Sequence, residues 1–196
     1  MKIYNFINES FILSYDDEKY DFDKWKNGDL PFLFVIGYSR SGKSTISREL
    51  SDNTGAKHIS LDRYLMDSAK ENNRNIVTLE AKEWKELFKE SMINLFQELD
   101  SSKKEKIIIE GIQIPDLLVF DWGIPIAKNF IENGAFIIKG TSYITSSYRV
   151  IIKNWQLGGP SERTMAAIYG RFMTNYNFSN SLKKFKMFIN KIKGNV

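Results

Sequence analysis

Residues 31–45 read PFLFVIGYSRSGKST. An apolar run from Phe32 to Ile36 breaks at Gly37 into GYSRSGKS, and ISRELSD then carries a helix-like pattern onward. The spacing is G-x-x-x-x-G-K-[ST], a phosphate-binding loop. A loop that leaves a buried strand and enters a helix turns several backbone N–H groups inward, and with the helix N-terminus these make an anion cradle. Gly37 and Gly42 allow close approach and unusual backbone angles. Lys43 reaches toward terminal phosphates, the Ser44 hydroxyl is suited to Mg²⁺, and Thr45 continues the helix. At average residue usage the four fixed positions arise by chance on the order of once in a hundred chains of this length. A strand before them and a helix after them make chance rarer still.

With 196 residues, 42% hydrophobic and 27% charged, the chain suits one α/β domain with a sizeable core rather than two full domains. Cysteine is absent, which excludes a disulfide framework, a thiol nucleophile and a thiolate metal site. The first twenty residues interrupt their apolar positions with Asn, Glu and Asp, so no signal-peptide core is expected there. No stretch approaches the roughly 18 apolar residues of a membrane span. The expected location is cytoplasmic, with no membrane partner. The net charge is +4, with its excess in the C-terminal KKFKMFINKIK; this reads as the solvated face of an amphipathic helix rather than a nucleic-acid surface.

Residues 1–30 read as an N-terminal extension in which FILSY and YDFDKW flank the acidic turn DDEK as a β-hairpin covering the edge of a sheet. Asn27-Gly28-Asp29 then turns into the domain of residues 31–196. The helix after the phosphate loop is expected to run to about Asp52, with residues 53–55 as its stop signal. KHISLD reads as a short strand whose end delivers Asp62 to a ligand crevice, while His58, at its start, reads as structural because strand N-terminal ends face away from such a crevice. Residues 67–77, DSAKENNRNIV, are polar and aperiodic, and read as a mobile loop over the site. From Thr78, a plausible N-cap, the residues Leu79, Trp84, Leu87, Phe88, Leu95, Phe96 and Leu99 follow helical spacing, which makes the aromatics core.

KIIIEG is a continuous apolar run ending in a carboxylate, as buried parallel strands read. Glu110 at its tip, close to the phosphate loop, is the candidate Mg²⁺-side acid. A helix near Pro125, stopped by Gly134, leads to the fourth apolar run, AFIIK. Four such runs separated by helices predict a three-layer α/β sandwich, with a mainly parallel sheet and helices on both faces. One crevice then collects the loop, Asp62 and Glu110. Residues 142–155 read as a helix with Arg149 and Lys153 on one face. Gly158-Gly159-Pro160 breaks it, and Ser161 caps another helix holding Arg163 and Arg171. Residues 142–175 thus read as a lid that brings cations over a transferring phosphate.

Four stretches, GYSRSGKST, ISLDRY, IIIEGI and RVIIKNWQLGGPSERTMAAIYGRF, together resemble the P-loop kinases. More narrowly, they resemble the uridine kinase and phosphoribulokinase-like small-molecule kinases. The resemblance spans roughly residues 32–175. It implies a P-loop NTPase fold, ATP and Mg²⁺ as cofactors, and a nucleotide cradle of Gly37, Ser39, Arg40, Ser41, Gly42, Lys43, Ser44 and Thr45. It also implies Asp62 as base toward a substrate hydroxyl, Glu110 and Ser44 on the metal, and Arg149, Lys153 and Arg163 as lid cations. Lys153-Asn154 stands where the family tends to have Arg-Asp.

The leading expectation is transfer of the ATP γ-phosphoryl group to a hydroxyl of a small metabolite such as a nucleoside. A toxin-like kinase of nucleotide sugars, a kinase of nucleic-acid ends and a non-kinase nucleotide-dependent switch are the alternatives. The sequence does not distinguish acceptors, ATP from GTP, or oligomeric states.

Overall fold

In the computed structural model, which describes residues 16–74, 79–101, 105–159 and 161–194, the four apolar runs are parallel strands of one sheet. Along the chain the strands are β1 (Glu18–Tyr20), β2 (Phe32–Ile36), β3 (Lys57–Ser60), β4 (Ile107–Gly111) and β5 (Gly134–Ile138). The helices are α1 (Phe22–Asn27), α2 (Lys43–Thr54), α3 (Leu61–Glu71), α4 (Ala81–Ser101), α5 (Gly123–Asn133), α6 (Tyr143–Gly158) and α7 (Glu162–Lys193). A 3-10 turn spans Ile114–Val119. The sheet order is β1-β5-β2-β4-β3, with only β1 antiparallel.

Strand β2 lies at the centre and is buried at every residue, because helices cover both faces of the sheet. Its side chains alternate. Phe32, Phe34 and Ile36 enter the larger core with α3, α4, α5 and α7, while Leu33 and Val35 pack with Trp25 of α1 and the α2 layer. Phe34 lies 4.8 Å from the Phe130 ring and 5.0 Å from that of Phe136. Burial of each such side chain stabilises the fold by roughly 1.5–3 kcal/mol, so the strand that feeds the phosphate loop is among the most firmly held parts of the molecule.

Helix ends follow their local signals. Gly55 ends α2 in the left-handed conformation, at φ 69°. The Ser142 hydroxyl accepts the Thr145 N–H at 3.1 Å and the Ser161 hydroxyl accepts the Thr164 N–H at 3.2 Å, so both expected lid helices are capped. Each such cap is worth about 1 kcal/mol. Along α7, Phe178, Leu182, Phe185 and Ile189 form the buried stripe. Two of its basic residues are tied to the N-terminal elements, Lys186 to Glu18 and Lys193 to Asp21, which fits an amphipathic helix on the core. Among the described residues no helix is long and apolar enough to cross a membrane.

Three expectations need correction. The hairpin does not form as drawn: Glu18–Tyr20, which includes part of its expected turn, is a strand on the β5 edge, and most of YDFDKW is helix α1. An edge element does cover the sheet, but β5 supplies its partner strand; the first expected arm, residues 11–15, lies outside the described residues. The loop expected at 67–77 begins as helix, since α3 runs to Glu71 with Leu61, Leu65 and Ala69 buried along one face. Residues 75–77 of that loop, and the Thr78 cap, lie outside the described residues. Finally, β3 ends at Ser60, so Asp62 stands in the first turn of α3 rather than on the strand.

Candidate functional site

The phosphate loop connects β2 to α2. Gly42, the residue before the helix, has φ 90°, and Arg40 has φ 63°, a left-handed conformation rare for a side-chain-bearing residue and typical of strained functional loops. Gly37 is needed for space: a Cβ there would lie 2.7 Å from Ser41 Oγ and 2.8 Å from Lys139 Cβ. The first helical bond at this end runs from Ile46 N–H to the Gly42 carbonyl, at 3.2 Å. The N–H groups of Lys43, Ser44 and Thr45 therefore have no intrahelical acceptor and make the donor end of α2. Lys43 Nζ curls back to donate to the Tyr38 carbonyl at 2.8 Å. Burial pushes the pKa of this ammonium down to about 8, overcoming the opposite pull of Asp62 and Glu110.

Register brings the carboxylates to the loop. Val35 of β2 pairs with Glu110 of β4, which pairs with Ser60 of β3, two residues before Asp62. A cleft of about 180 Å³ is lined by Ser39, Arg40, Lys43, Ser44, Asp62 and Glu110, with Ser60, Gly111, Ile112 and Arg171 completing its wall. Glu110 is 5% exposed. Its Oε1 lies 3.7 Å from His58 Nε2, and its Oε2 is buried with no hydrogen-bond partner. A buried carboxylate oxygen without a partner, on a cleft wall that also carries Ser44, offers with the Ser44 hydroxyl a donor set of the hard oxygen type that Mg²⁺ prefers. Asp62 is exposed, and Gln113 Nε2 donates to its Oδ1 at 2.5 Å.

The lid elements also reach the loop. Arg149 on α6 donates to the Arg40 carbonyl at 3.3 Å, and Thr141 Oγ1 donates to the Ser41 carbonyl at 3.4 Å. Asn175 on α7 is fully buried. Its Oδ1 accepts the Ser39 N–H at 3.0 Å, and its Nδ2 donates to Ser146 Oγ at 3.2 Å. The Ser146 hydroxyl in turn donates to the Ser39 carbonyl. One amide side chain thus holds Ser39 from both sides. Asn175→Ala leaves the Ser39 N–H without its acceptor, an effect of about 1–3 kcal/mol. The expected result is a Tm lowered by roughly 2–12 °C, at about 2–4 °C per kcal/mol for a chain of this size, with weaker nucleotide binding. Thermal melts with and without ATP check it.

Of the residues singled out by sequence, Ser39, Arg40, Lys43, Ser44, Asp62 and Glu110 share the cleft. Gly37, Ser41, Gly42 and Thr45 shape or extend the loop, and Arg149 contacts it. Arg163 lies in the first turn of α7, and its side chain is outside what the structure describes. Lys153 is exposed on α6 and is not among the cleft-lining residues. His58 does not face away, as its strand position suggested; β3 has only four residues, and Ser60 already reaches Glu110.

Arg171, named with the lid cations by sequence, lines the cleft, whereas Gln113, Ser146 and Asn175 were assigned no site role by sequence reasoning. A signal existed for Asn175: it occupies an apolar-stripe position of α7, seven residues after buried Ile168 and three before buried Phe178.

No protein-family model matches the chain, and no curated protein sequence matches it. Among solved structures, the fold is similar to that of a shikimate kinase from Acinetobacter baumannii in complex with shikimate. The identity is 14% and the TM-score 0.47, over 87% of this chain and 98% of that one.

Proposed function

We propose that the protein is an ATP-dependent kinase that transfers the γ-phosphoryl group to a hydroxyl of a small metabolite, in the manner of the uridine kinase-like enzymes. The observation that carries this reading is the shared cleft of Lys43, Ser44, Asp62 and Glu110 at the mouth of the phosphate loop. A cation, a helix donor end, a metal-type oxygen pair and an exposed carboxylate are the parts phosphoryl transfer requires.

In the reaction, the bond from the γ-phosphorus to the β,γ-bridging oxygen breaks, and its electron pair leaves with ADP. A bond from the acceptor oxygen to the same phosphorus forms. Asp62 takes the acceptor's hydroxyl proton, with Gln113 fixing one of its oxygens so that the other faces the acceptor. Lys43 and the α2 N-terminus stabilise charge on the phosphate oxygens. Ser44 and Glu110 would hold Mg²⁺, which would neutralise charge on the phosphate oxygens. Arg149 and Arg163 are the lid cations of this reading, and Arg171 joins them from the cleft wall. A cytoplasmic location accompanies the proposal, since ATP is abundant there.

The test is ADP release with ATP and Mg²⁺ across a panel of nucleosides, nucleotides, sugars and short oligonucleotides. Stimulation by one small hydroxyl compound supports the reading. Tight ATP binding with no stimulation by any acceptor would instead favour a nucleotide switch, and stimulation by oligonucleotides alone a nucleic-acid-end kinase. Glu110→Gln is expected to raise the Mg²⁺ concentration needed for half-maximal rate by about 10-fold or more, measured by Mg²⁺ titration at saturating ATP.

A further inference from the structure

A second cavity, of about 460 Å³, opens on the other side of Ser44, Ser60 and Glu110, and its remaining wall is Arg48, His58 and Arg63. Its walls follow from local geometry. Arg48 stands one helical turn beyond Ser44 on α2, so the two share a face. His58 and Ser60 alternate to the same side of β3, and Arg63 follows Asp62 in the first turn of α3. Two guanidinium groups from different helices therefore meet at one cavity that abuts the metal-side wall of the phosphate cleft.

What sets them apart is that both line one cavity while, among the described residues, neither is in an ion pair. Many basic side chains elsewhere in the described structure are neutralised within the protein: Lys24 by Asp21, Lys70 by Asp67, Arg74 by Glu90, Lys139 by Asp17. Among the described residues neither Arg48 nor Arg63 has a carboxylate partner within ion-pair distance. The one carboxylate on the wall, Glu110, directs its oxygens to His58 and to the proposed metal position. Two unpaired arginines that line one cavity with Ser60 match the forked recognition of a phosphate or carboxylate.

We infer that this cavity binds an anionic group, phosphate or carboxylate, carried by the phosphoryl acceptor, so that the substrate is a phosphorylated or acidic hydroxyl compound rather than a neutral one. The inference rests on the kinase reading for the word acceptor. The anion site itself stands on the cavity alone. Arg48 and Arg63 would anchor the anion, and the acceptor's hydroxyl would reach past Ser60 to Asp62.

Two experiments separate these layers. The first reads anion binding without turnover: the Tm shift produced by inorganic phosphate, and in parallel by a hydroxy-carboxylate, in Lys43→Ala, whose phosphate loop is impaired. The shift is expected to persist in Lys43→Ala and to be lost when Arg48→Gln and Arg63→Gln are added; the larger of the two shifts names the anion. No shift in Lys43→Ala, or one unchanged by the arginine replacements, overturns the site whatever the enzyme does. The second compares ADP release with pairs of acceptors that differ only by the anionic group, such as a nucleoside and its monophosphate or a polyol and the matching hydroxy acid. The anionic member is expected to have at least 10-fold higher kcat/KM. The double arginine variant is expected to raise its KM 10- to 100-fold while the KM for ATP stays within 3-fold. Preference for the neutral member, or a rise in the ATP KM instead, overturns the acceptor assignment. Anion binding that obeys the first experiment without ADP release in the second leaves the site in place and removes the kinase reading.

Discussion

Lys43→Ala is expected to lower the phosphoryl-transfer rate by about 10³-fold, with the fold retained. Removing one preorganised charge stabiliser from a transition state typically lowers the rate by about 10²–10³, and Lys43 is the nearest cation to the loop's donor end. Among the described residues its side chain makes one hydrogen bond, to the Tyr38 carbonyl. Steady-state ADP release, with circular dichroism as the check on folding, decides the matter. A variant that keeps more than a tenth of the wild-type rate would leave Lys43 without the role assigned here.

The depressed pKa of Lys43 adds a pH dependence whose sign is fixed. The folded value is about 8, against 10.5 for the free side chain, because burial disfavours the charged form more than Asp62 and Glu110 favour it. Below pH 8 the ammonium is charged in folded and unfolded chains alike, and the folded state bears the full penalty, roughly 3 kcal/mol at about 1.4 kcal/mol per unit. Between pH 8 and 10.5 the unfolded chain binds the extra proton, so stability rises with pH, and above 10.5 the penalty is gone. Lys43→Met should therefore melt several degrees above wild type at pH 7 and lose that advantage by pH 10.5. ATP brings anionic charge to the ammonium and restores its proton. At pH 8.5 nucleotide binding should take up protons, read by calorimetry in buffers of different ionisation enthalpy. Equal Tm values for the two proteins at pH 7 would mean that the ammonium is not penalised by burial.

The parts of this fold that sequence could specify are those whose cause is local. Gly42 at φ 90°, the hydroxyl cap at Ser161 and the Gly55 stop each depend on a few neighbouring residues, and each was legible, while Ser142, read as the first residue of its helix, is its cap. Continuous apolar runs marked β2, β4 and β5 because burial at every residue leaves no alternation to hide, while β3, at the sheet edge and only partly buried, was read from the short KHISLD stretch. Helix α3 was missed, since its start was read as the end of a strand and its buried stripe ends in the small Ala69 within a polar run. Strand β1 was missed because three residues, EKY, are held by the open edge of β5 rather than by any pattern of their own. The site divides the same way. Lys43 and Ser44 come with the loop, but Asn175 acts on Ser39 across 136 residues. The meeting of Arg48, His58 and Arg63 exists only through the β3–β4 register that sets Ser60 opposite Glu110.

Asp62→Asn is the other replacement with a large expected effect, and it separates chemistry from binding. The amide has the size of the carboxylate and can still meet Gln113, so the first turn of α3 should keep its geometry. What it loses is the capacity to take a proton. General-base catalysis typically contributes about 10²–10⁴-fold, and kcat should fall by that range. The KM for ATP should change by less than about 3-fold, because the cradle formed by α2 and Lys43 does not include Asp62. An interaction made only in the transition state lowers kcat and kcat/KM for the acceptor together, and that pattern is expected here. If kcat held while the acceptor KM rose, Asp62 would be a binding group that orients the hydroxyl. Phosphoryl transfer through a loose transition state needs little proton removal before the phosphorus is reached, so such a result would move the catalytic burden onto Lys43 and the lid arginines.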